Sequence, residues 1–155
     1  MNATNLLDLL NEDIGHAGKL LELIEAEFQA LSEQDLARLQ QLLAEKQPLL
    51  ASLDQHGRSR TQILLGHNLT ADRAGLLALA QRSDQGDALI AASDQLSDLL
   101  ESCQSANLRN GRMIRSSQQS TDKMLGILRG NETPSLYDSS GSTAKIGSKR
   151  PLSQA

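Results

Sequence analysis

The side chains in this sequence with the chemistry for catalysis or metal binding are few: His16, His56, His67, Cys103 and a scatter of carboxylates that includes Glu22, Glu25 and Glu27. His56 and His67 lie eleven residues apart. That is about three helical turns, which permits a shared helix face but not a shared coordination sphere. No cysteine or carboxylate cluster completes a site in the sequence, so the histidines read as isolated, and no metal or other cofactor is expected. The three glutamates fall on the outer side of a helical pattern, where carboxylates are solvated rather than tuned for acid/base work. Cys103 sits on an apolar seam and reads as a small buried hydrophobe. No phosphate-cradling loop, paired-cysteine motif or nucleophile with a placed base occurs. The chain is therefore expected to bind rather than to catalyse.

The elements that would position a binding surface are helices. Apolar content is 39%, dominated by Leu and Ala; valine is absent, and Phe28 and Tyr137 are the only aromatics. Strands favour β-branched and aromatic side chains, so this composition selects helix. Charge is distributed unevenly: the net is −9 over residues 1–103 and +5 over 104–155. The basic half is too dilute, and too poor in stacking aromatics, for nucleic acid to be the expected partner, although it suits an acidic protein surface. A lone cysteine, no basic-plus-apolar leader and no apolar run of membrane length give an expectation of a cytoplasmic protein without stable membrane insertion.

From Leu7 the residues Leu7, Leu10, Ile14, Ala17, Leu21, Ile24, Phe28 and Leu31 alternate spacings of three and four, a heptad seam. Leu6, Leu9, Leu20 and Leu23 widen the stripe. Thr4 is the expected N-cap, and Ser32, three residues before Asp35, is the expected signal that closes the first helix and opens the second. In that second helix Leu36, Leu39, Leu43, Leu50 and Leu53 continue the heptad and Lys46 interrupts it, its stem lying along the core and its ammonium in water. Pro48 removes an internal hydrogen bond and predicts a kink or restart near residues 45–48. Gly66-His67-Asn68 reads as a stop, and Thr70 with Asp72 as the start of a short helix ending near Arg82. Beyond the Ser83–Asp87 turn no proline interrupts the chain before about Arg129. One long helix of roughly 65 to 70 Å follows, against about 40 Å for the first, so part of it is expected to extend past its partners.

The seam of the long helix has apolar ends and a polar middle. One column is Leu89, Leu96, Cys103, Asn110, Ser117 and Met124; the other is Ala92, Leu99, Ala106, Met113, Ser120 and Ile127. The polar middle is open to two readings: a kinked or hydrated stretch, or a surface completed by another chain. Arg109, Arg112, Arg115, Lys123 and Arg129 follow along its second half, either as a solvated face or as groups that steer an acidic partner. After Gly130 the composition turns to Ser, Gly, Thr, Pro and Lys, the mark of a flexible tail, with Leu136-Tyr137 the exception. The expected architecture is all-α: an elongated antiparallel helical hairpin plus a long C-terminal helix, a coiled-coil-like three-helix bundle over residues 1–130, with a C-terminal tail at 131–155.

The segment Asn107-Leu-Arg-Asn-Gly-Arg-Met-Ile114, followed by Thr121, Met124-Leu125, Ile127-Leu128 and Leu136-Tyr137-Asp-Ser-Ser-Gly141, resembles the carboxyl-terminal signature of the FlgN family. The upstream leucine-rich hairpin with Lys46 and Leu50 is similar to that family's amino-terminal half. The likeness covers roughly residues 5–141. It implies a cytoplasmic chaperone, neither enzyme nor cofactor-dependent, that binds the hook-filament junction proteins FlgK and FlgL and delivers them to the flagellar type III export apparatus. The runner-up reading is a structural or signalling coiled-coil adaptor, and a third is an export substrate. The partner-binding residues expected on the chaperone reading are Asn107, Asn110, Gly111, Ile114, Met124, Leu125, Leu128, Leu136 and Tyr137. The Leu136-Tyr137 pair would either clasp the partner or occupy the groove when the protein is free.

Overall fold

The structure, a computed structural model, describes residues 3–129. Four helices make up the described chain: α1 (Ala3–Glu33), α2 (Leu36–Gly66), α3 (Arg73–Gln81) and α4 (Gly86–Leu128). No strand occurs among the described residues. The all-α expectation and the order of a hairpin, a short helix and a long helix hold; the expected tail lies outside the described residues. The chain divides into two units, one ending at Arg112 and one beginning at Met113.

Capping chemistry sets the helix ends. α1 stops because Gln34 adopts a left-handed conformation (φ 58°), which lets Asp35 N–H reach the Ala30 carbonyl at 2.9 Å and Gln34 N–H reach that of Leu31 at 3.2 Å. The Asp35 carboxylate then accepts from Arg38 N–H at 3.0 Å and opens α2. Ser32 is therefore not the cap: it remains inside α1, and its hydroxyl donates back to the Phe28 carbonyl at 3.0 Å. Thr4 likewise lies within α1, its hydroxyl meeting Gln85 Oε1 at 3.3 Å. Asn68 (φ 60°) ends α2 in the same way as Gln34 ends α1, with Leu69 N–H on the Leu64 carbonyl at 3.0 Å. Asp72 caps α3 by accepting from Gly75 N–H at 3.0 Å, and Thr70 donates to the same carboxylate. These bonds hold the Asp72 carboxyl below its ordinary pKa, the Thr70 bond foremost. A side chain at position 75 would collide with the Thr70 carbonyl, so this tight entry demands glycine. α2 passes through Pro48 as one helix, without the expected restart.

In the hairpin, the innermost residues of α1 are Leu6, Leu10, Asp13, Ala17, Leu20, Ile24 and Glu27, all buried. The residues of α2 at matching spacing are Leu39, Leu42, Lys46, Leu49, Leu53, His56, Arg60 and Ile63, all buried or half-buried. Both sets alternate three and four, so this is a heptad interface. It is shifted from the expected one. On α1 the column of Leu7, Ile14, Leu21 and Phe28 is only half-buried and flanks the seam. On α2 Leu36, Leu43 and Leu50 point outward, Leu36 being 71% and Leu50 42% exposed.

Within the first unit α4 runs parallel to α1. The Cys103 thiol donates to the Ala17 carbonyl at 3.6 Å and the Asn110 amide to that of Ile24 at 2.9 Å, seven residues further along both helices. Leu89, Ala92 and Leu96 join Leu6, Leu10 and Ala17 of α1, Ile63 and Leu64 of α2, and Leu76 and Leu79 of α3 in one core cluster. Leu20, Ile24, Cys103 and Ala106 form a second, and Leu23, Ala30 and Leu42 a third. Every cluster contains α1, which is therefore the central helix of the core. Replacing Leu42, fully buried, by Asp is expected to prevent folding, because it removes roughly 1.5–3 kcal/mol of burial and strands a charge. The same change at the outward Leu50 is expected to move stability by less than about 1 kcal/mol in urea melts. Equal loss from both would place Leu50 in the core after all.

Candidate functional site

The described end of α4 carries apolar side chains that are exposed among the described residues. Ile114 is 41% exposed, Leu125 is as open, and Met124, Ile127 and Leu128 are more open still, Leu128 reaching 79%. Leu125 and Leu128 lie eleven and fourteen residues beyond Ile114, three and four turns on, so the three share one helix face. Met124 and Ile127 widen that face on one flank. Isolated exposed leucines are ordinary, but a run of five apolar residues along one helix end is the pattern of a surface that meets something else. The helix continues without a proline to Leu128, and the Thr121 hydroxyl donates to the Ser117 carbonyl at 3.0 Å.

Of the residues expected in the site, Ile114, Met124, Leu125 and Leu128 are all exposed on α4, and Ile127, on the same stretch, joins them. Asn107 is also exposed and lies two turns before Ile114. Asn110 is placed differently. It is buried, its amide is committed to Ile24, and its Oδ1 accepts from Arg109 Nε at 3.2 Å and Nη2 at 3.1 Å, so it holds α4 on α1 rather than facing a partner. Gly111 is half-buried beside it. Leu136 and Tyr137 lie outside the described residues.

The basic set divides in the same way. Arg109 pairs with Glu25 (Nη2 to Oε2, 3.1 Å) and its guanidinium carbon stacks 4.0 Å over the centre of the Phe28 ring. It is a structural clamp between α1 and α4. Arg112, Arg115 and Lys123 are exposed.

Two polar groups sit inside the hairpin seam. Glu27 and Lys46 form an ion pair at 2.9 Å with side chains 7% and 13% exposed. Lys46 therefore does not extend its ammonium into water, and Glu27, unlike Glu22 and Glu25, is not on an outer face. Asp13 is fully buried; one carboxylate oxygen receives the Arg60 guanidinium, and the other is contacted by His56 Nδ1 at 2.7 Å and His16 Nδ1 at 3.3 Å. Burial lowers the pKa of Arg60 from its ordinary value, yet a guanidinium stays charged and is the natural counter-ion here. His16 and His56 are thus not isolated but meet on one carboxylate, their rings 5.6 Å apart. The missed signal was the spacing itself: Leu6, Asp13, Leu20 and Glu27 repeat every seven residues. Cys103 is buried as expected, and desolvation raises its thiol pKa, outweighing the nearby Lys46 charge.

An open cleft of about 710 Å³ between α1 and α4, lined by Leu21, Glu25, Asp98, Glu101, Ser105 and Arg109 among others, contains no histidine or cysteine. The described residues are four helices, with exposed apolar residues gathered at the end of the longest of them. The family described as FlgN protein matches residues 1–145, and the chain belongs to that family. It is similar, at 48% identity and a TM-score of 0.71, to a crystal structure from Pseudomonas aeruginosa described as a flagella synthesis protein FlgN, over 83% of this chain and 98% of that one. No curated protein matches the chain. Its role is flagellar, within a family of chaperone type.

The Glu27–Lys46 pair generates a stability prediction. Glu27→Met or Lys46→Met alone is expected to cost about 3–5 kcal/mol in urea denaturation, because each strands a buried charge, whereas the double replacement is expected to cost far less than the sum. Additive losses would show that the two charges act independently.

Proposed function

We propose that this protein is a cytoplasmic export chaperone that binds FlgK and FlgL, the hook-filament junction proteins, and delivers them to the flagellar type III export apparatus. The observation that carries the reading is the exposed row of Ile114, Met124, Leu125, Ile127 and Leu128 on a chain of the FlgN family. A junction protein's terminal segment is expected to be an amphipathic helix that finds its assembly partners only outside the cell. Until then its apolar face needs cover, and an exposed apolar helix face provides it in helix-to-helix packing read at i, i+3, i+4 and i+7. Methionine and leucine suit such a surface because they repack around related helices. Asn107 supplies a polar contact at its near end, and Arg112 and Arg115 favour an acidic partner. The working domain is residues 1–130, and Leu136 and Tyr137, on the 131–155 tail, are further candidates for contact with the partner. Among the described residues no helix is long and apolar enough to cross a membrane, which is compatible with an escort that meets its cargo before export.

The test is calorimetric titration of the full chain with FlgK and FlgL. Leu125→Ser with Leu128→Ser is expected to weaken binding by about 2 kcal/mol or more, as for interface anchors, while leaving the melting temperature within a degree or two. Truncation after Gly130 is expected to leave melting nearly unchanged and to alter affinity, downward if the tail clasps the partner and upward if it occupies the groove. Full binding by both variants would move the site away from α4. Failure of the unaltered chain to bind either junction protein would return the adaptor reading.

A further inference from the structure

Asp13 and His16 lie one turn apart on α1, and His56 reaches the same point from α2. Each of Asp13, His16 and His56 offers a ligand atom within 4.8 Å of those of the other two, and Nδ1 of His16 and Nδ1 of His56 lie 3.3 and 2.7 Å from Asp13 Oδ1. Two nitrogens this close to one carboxylate oxygen can reach a shared ion at zinc–nitrogen and zinc–oxygen bond lengths, about 2.0 to 2.2 Å. We propose that Asp13, His16 and His56 form a binding site for a divalent transition-metal ion of the zinc type, joining α1 to α2 across the hairpin.

Donor chemistry and surroundings both suit such an ion. Two imidazoles and one carboxylate are the ligand types of zinc sites that keep a fourth position for water, whereas calcium and magnesium require mostly oxygen. The His16 side chain is 30% exposed, which gives the ion and its water an approach from solvent. Outer contacts are already present. Arg60 holds the second oxygen of Asp13 and fixes the plane of the carboxylate. Glu12 Oε2 stands 3.8 Å from Nε2 of His56, the ring atom that carries the proton when Nδ1 is the ligand. A carboxylate behind a ligating histidine orients it and strengthens it as a donor. The Arg60 cation also opposes the incoming charge, so the affinity expected is modest, in the micromolar range rather than that of a structural zinc finger. The site is remote in sequence from the exposed row on α4 and does not depend on the reading given to that row.

Zinc chloride titrated calorimetrically into the full-length chain, free of tags and stripped with chelator, is the test. One ion per chain is expected, with a rise in melting temperature when zinc is in roughly hundredfold excess. His16→Gln and His56→Gln are each expected to weaken binding at least tenfold, and His67→Gln to leave it unchanged. Should either glutamine variant fail to fold, the ring-nitrogen resonances of the unaltered protein give the same answer: zinc moves Nδ1 of His16 and His56 and leaves His67 in place. No heat and no resonance shift in the unaltered chain, or undiminished binding by the folded His16 and His56 variants, would overturn the site and leave the cluster as a hydrogen-bonded charge network alone.

Discussion

Two ion pairs inside a seam that is apolar but for His56 set the register on which the rest of this fold depends. Asp13 and Glu27 are fourteen residues apart on α1, and their partners Arg60 and Lys46 are fourteen apart on α2, running the other way. Each carboxylate therefore meets its cation only when the antiparallel helices are aligned in one way. A slip of one heptad toward the start of α2 would set Asp13 against Leu53 and Glu27 against Leu39, and the opposite slip would set Glu27 against Leu53 and carry Asp13 past the end of α2. Leucine against leucine is tolerant of such slips, since any heptad offset buries similar area, and the apolar part of this interface has little else to distinguish one offset from another. Buried ion pairs rarely add net stability over apolar replacements, because desolvation consumes most of the Coulombic gain. Their value in this hairpin lies in what misalignment would cost.

Once the hairpin is in register, α4 is placed by a different device. Ala17 and Ile24 are in the heptad seam of α1, and their carbonyl oxygens receive the Cys103 thiol and the Asn110 amide. Helix carbonyls already bonded within the helix have a second lone pair to offer, and a buried asparagine must find partners for its amide. Asn110 finds them in Ile24 and Arg109, and Arg109 in turn stacks on Phe28 and pairs with Glu25. A residue of low helix propensity beside a glycine thus becomes the point at which α4 is fastened to α1. The same side chains that make the sequence look unfit for a core close it.

Most of the architecture was legible because helix starts and stops carry local chemistry. Asn68, Asp72 and the Ser83–Asp87 turn lie where the chain changes direction, and the columns of α4 from Leu89 to Asn110 are buried, except for the half-buried Leu99. The inward face of the hairpin was not legible from hydrophobicity. Asp13, Glu27, Lys46, His56 and Arg60 occupy core positions, and each subtracts from the apolar signal of the true seam. On α1 this shifts the apparent column by one residue, to Leu7, Ile14, Leu21 and Phe28. α2 has leucines on both sides, Leu42 and Leu49 inward and Leu43 and Leu50 outward, so periodicity alone cannot choose. The choice follows from charge matched between two segments distant in sequence, a signal seen only when the helices are considered as a pair. The convergence of His16 and His56 was hidden for the same reason, since it joins residues forty apart in sequence.

Of the residues expected in the candidate site, the structure leaves the apolar row exposed and buries Asn110. The difference has a physical basis. A polar residue on a seam can face a partner chain or satisfy a carbonyl of its own chain, and composition does not distinguish the two. Burial does: with its amide committed to Ile24, Asn110 belongs to the core of the first unit. The row that begins at Ile114 is of another kind. None of its side chains appears in a core cluster, so the packing of α1, α2, α3 and the first part of α4 is complete without them. Apolar residues outside the core clusters, carried on the last turns of α4, can be replaced without removing a side chain from those clusters. The constraint that holds the hairpin in register is thereby separated, residue by residue, from the exposed apolar row.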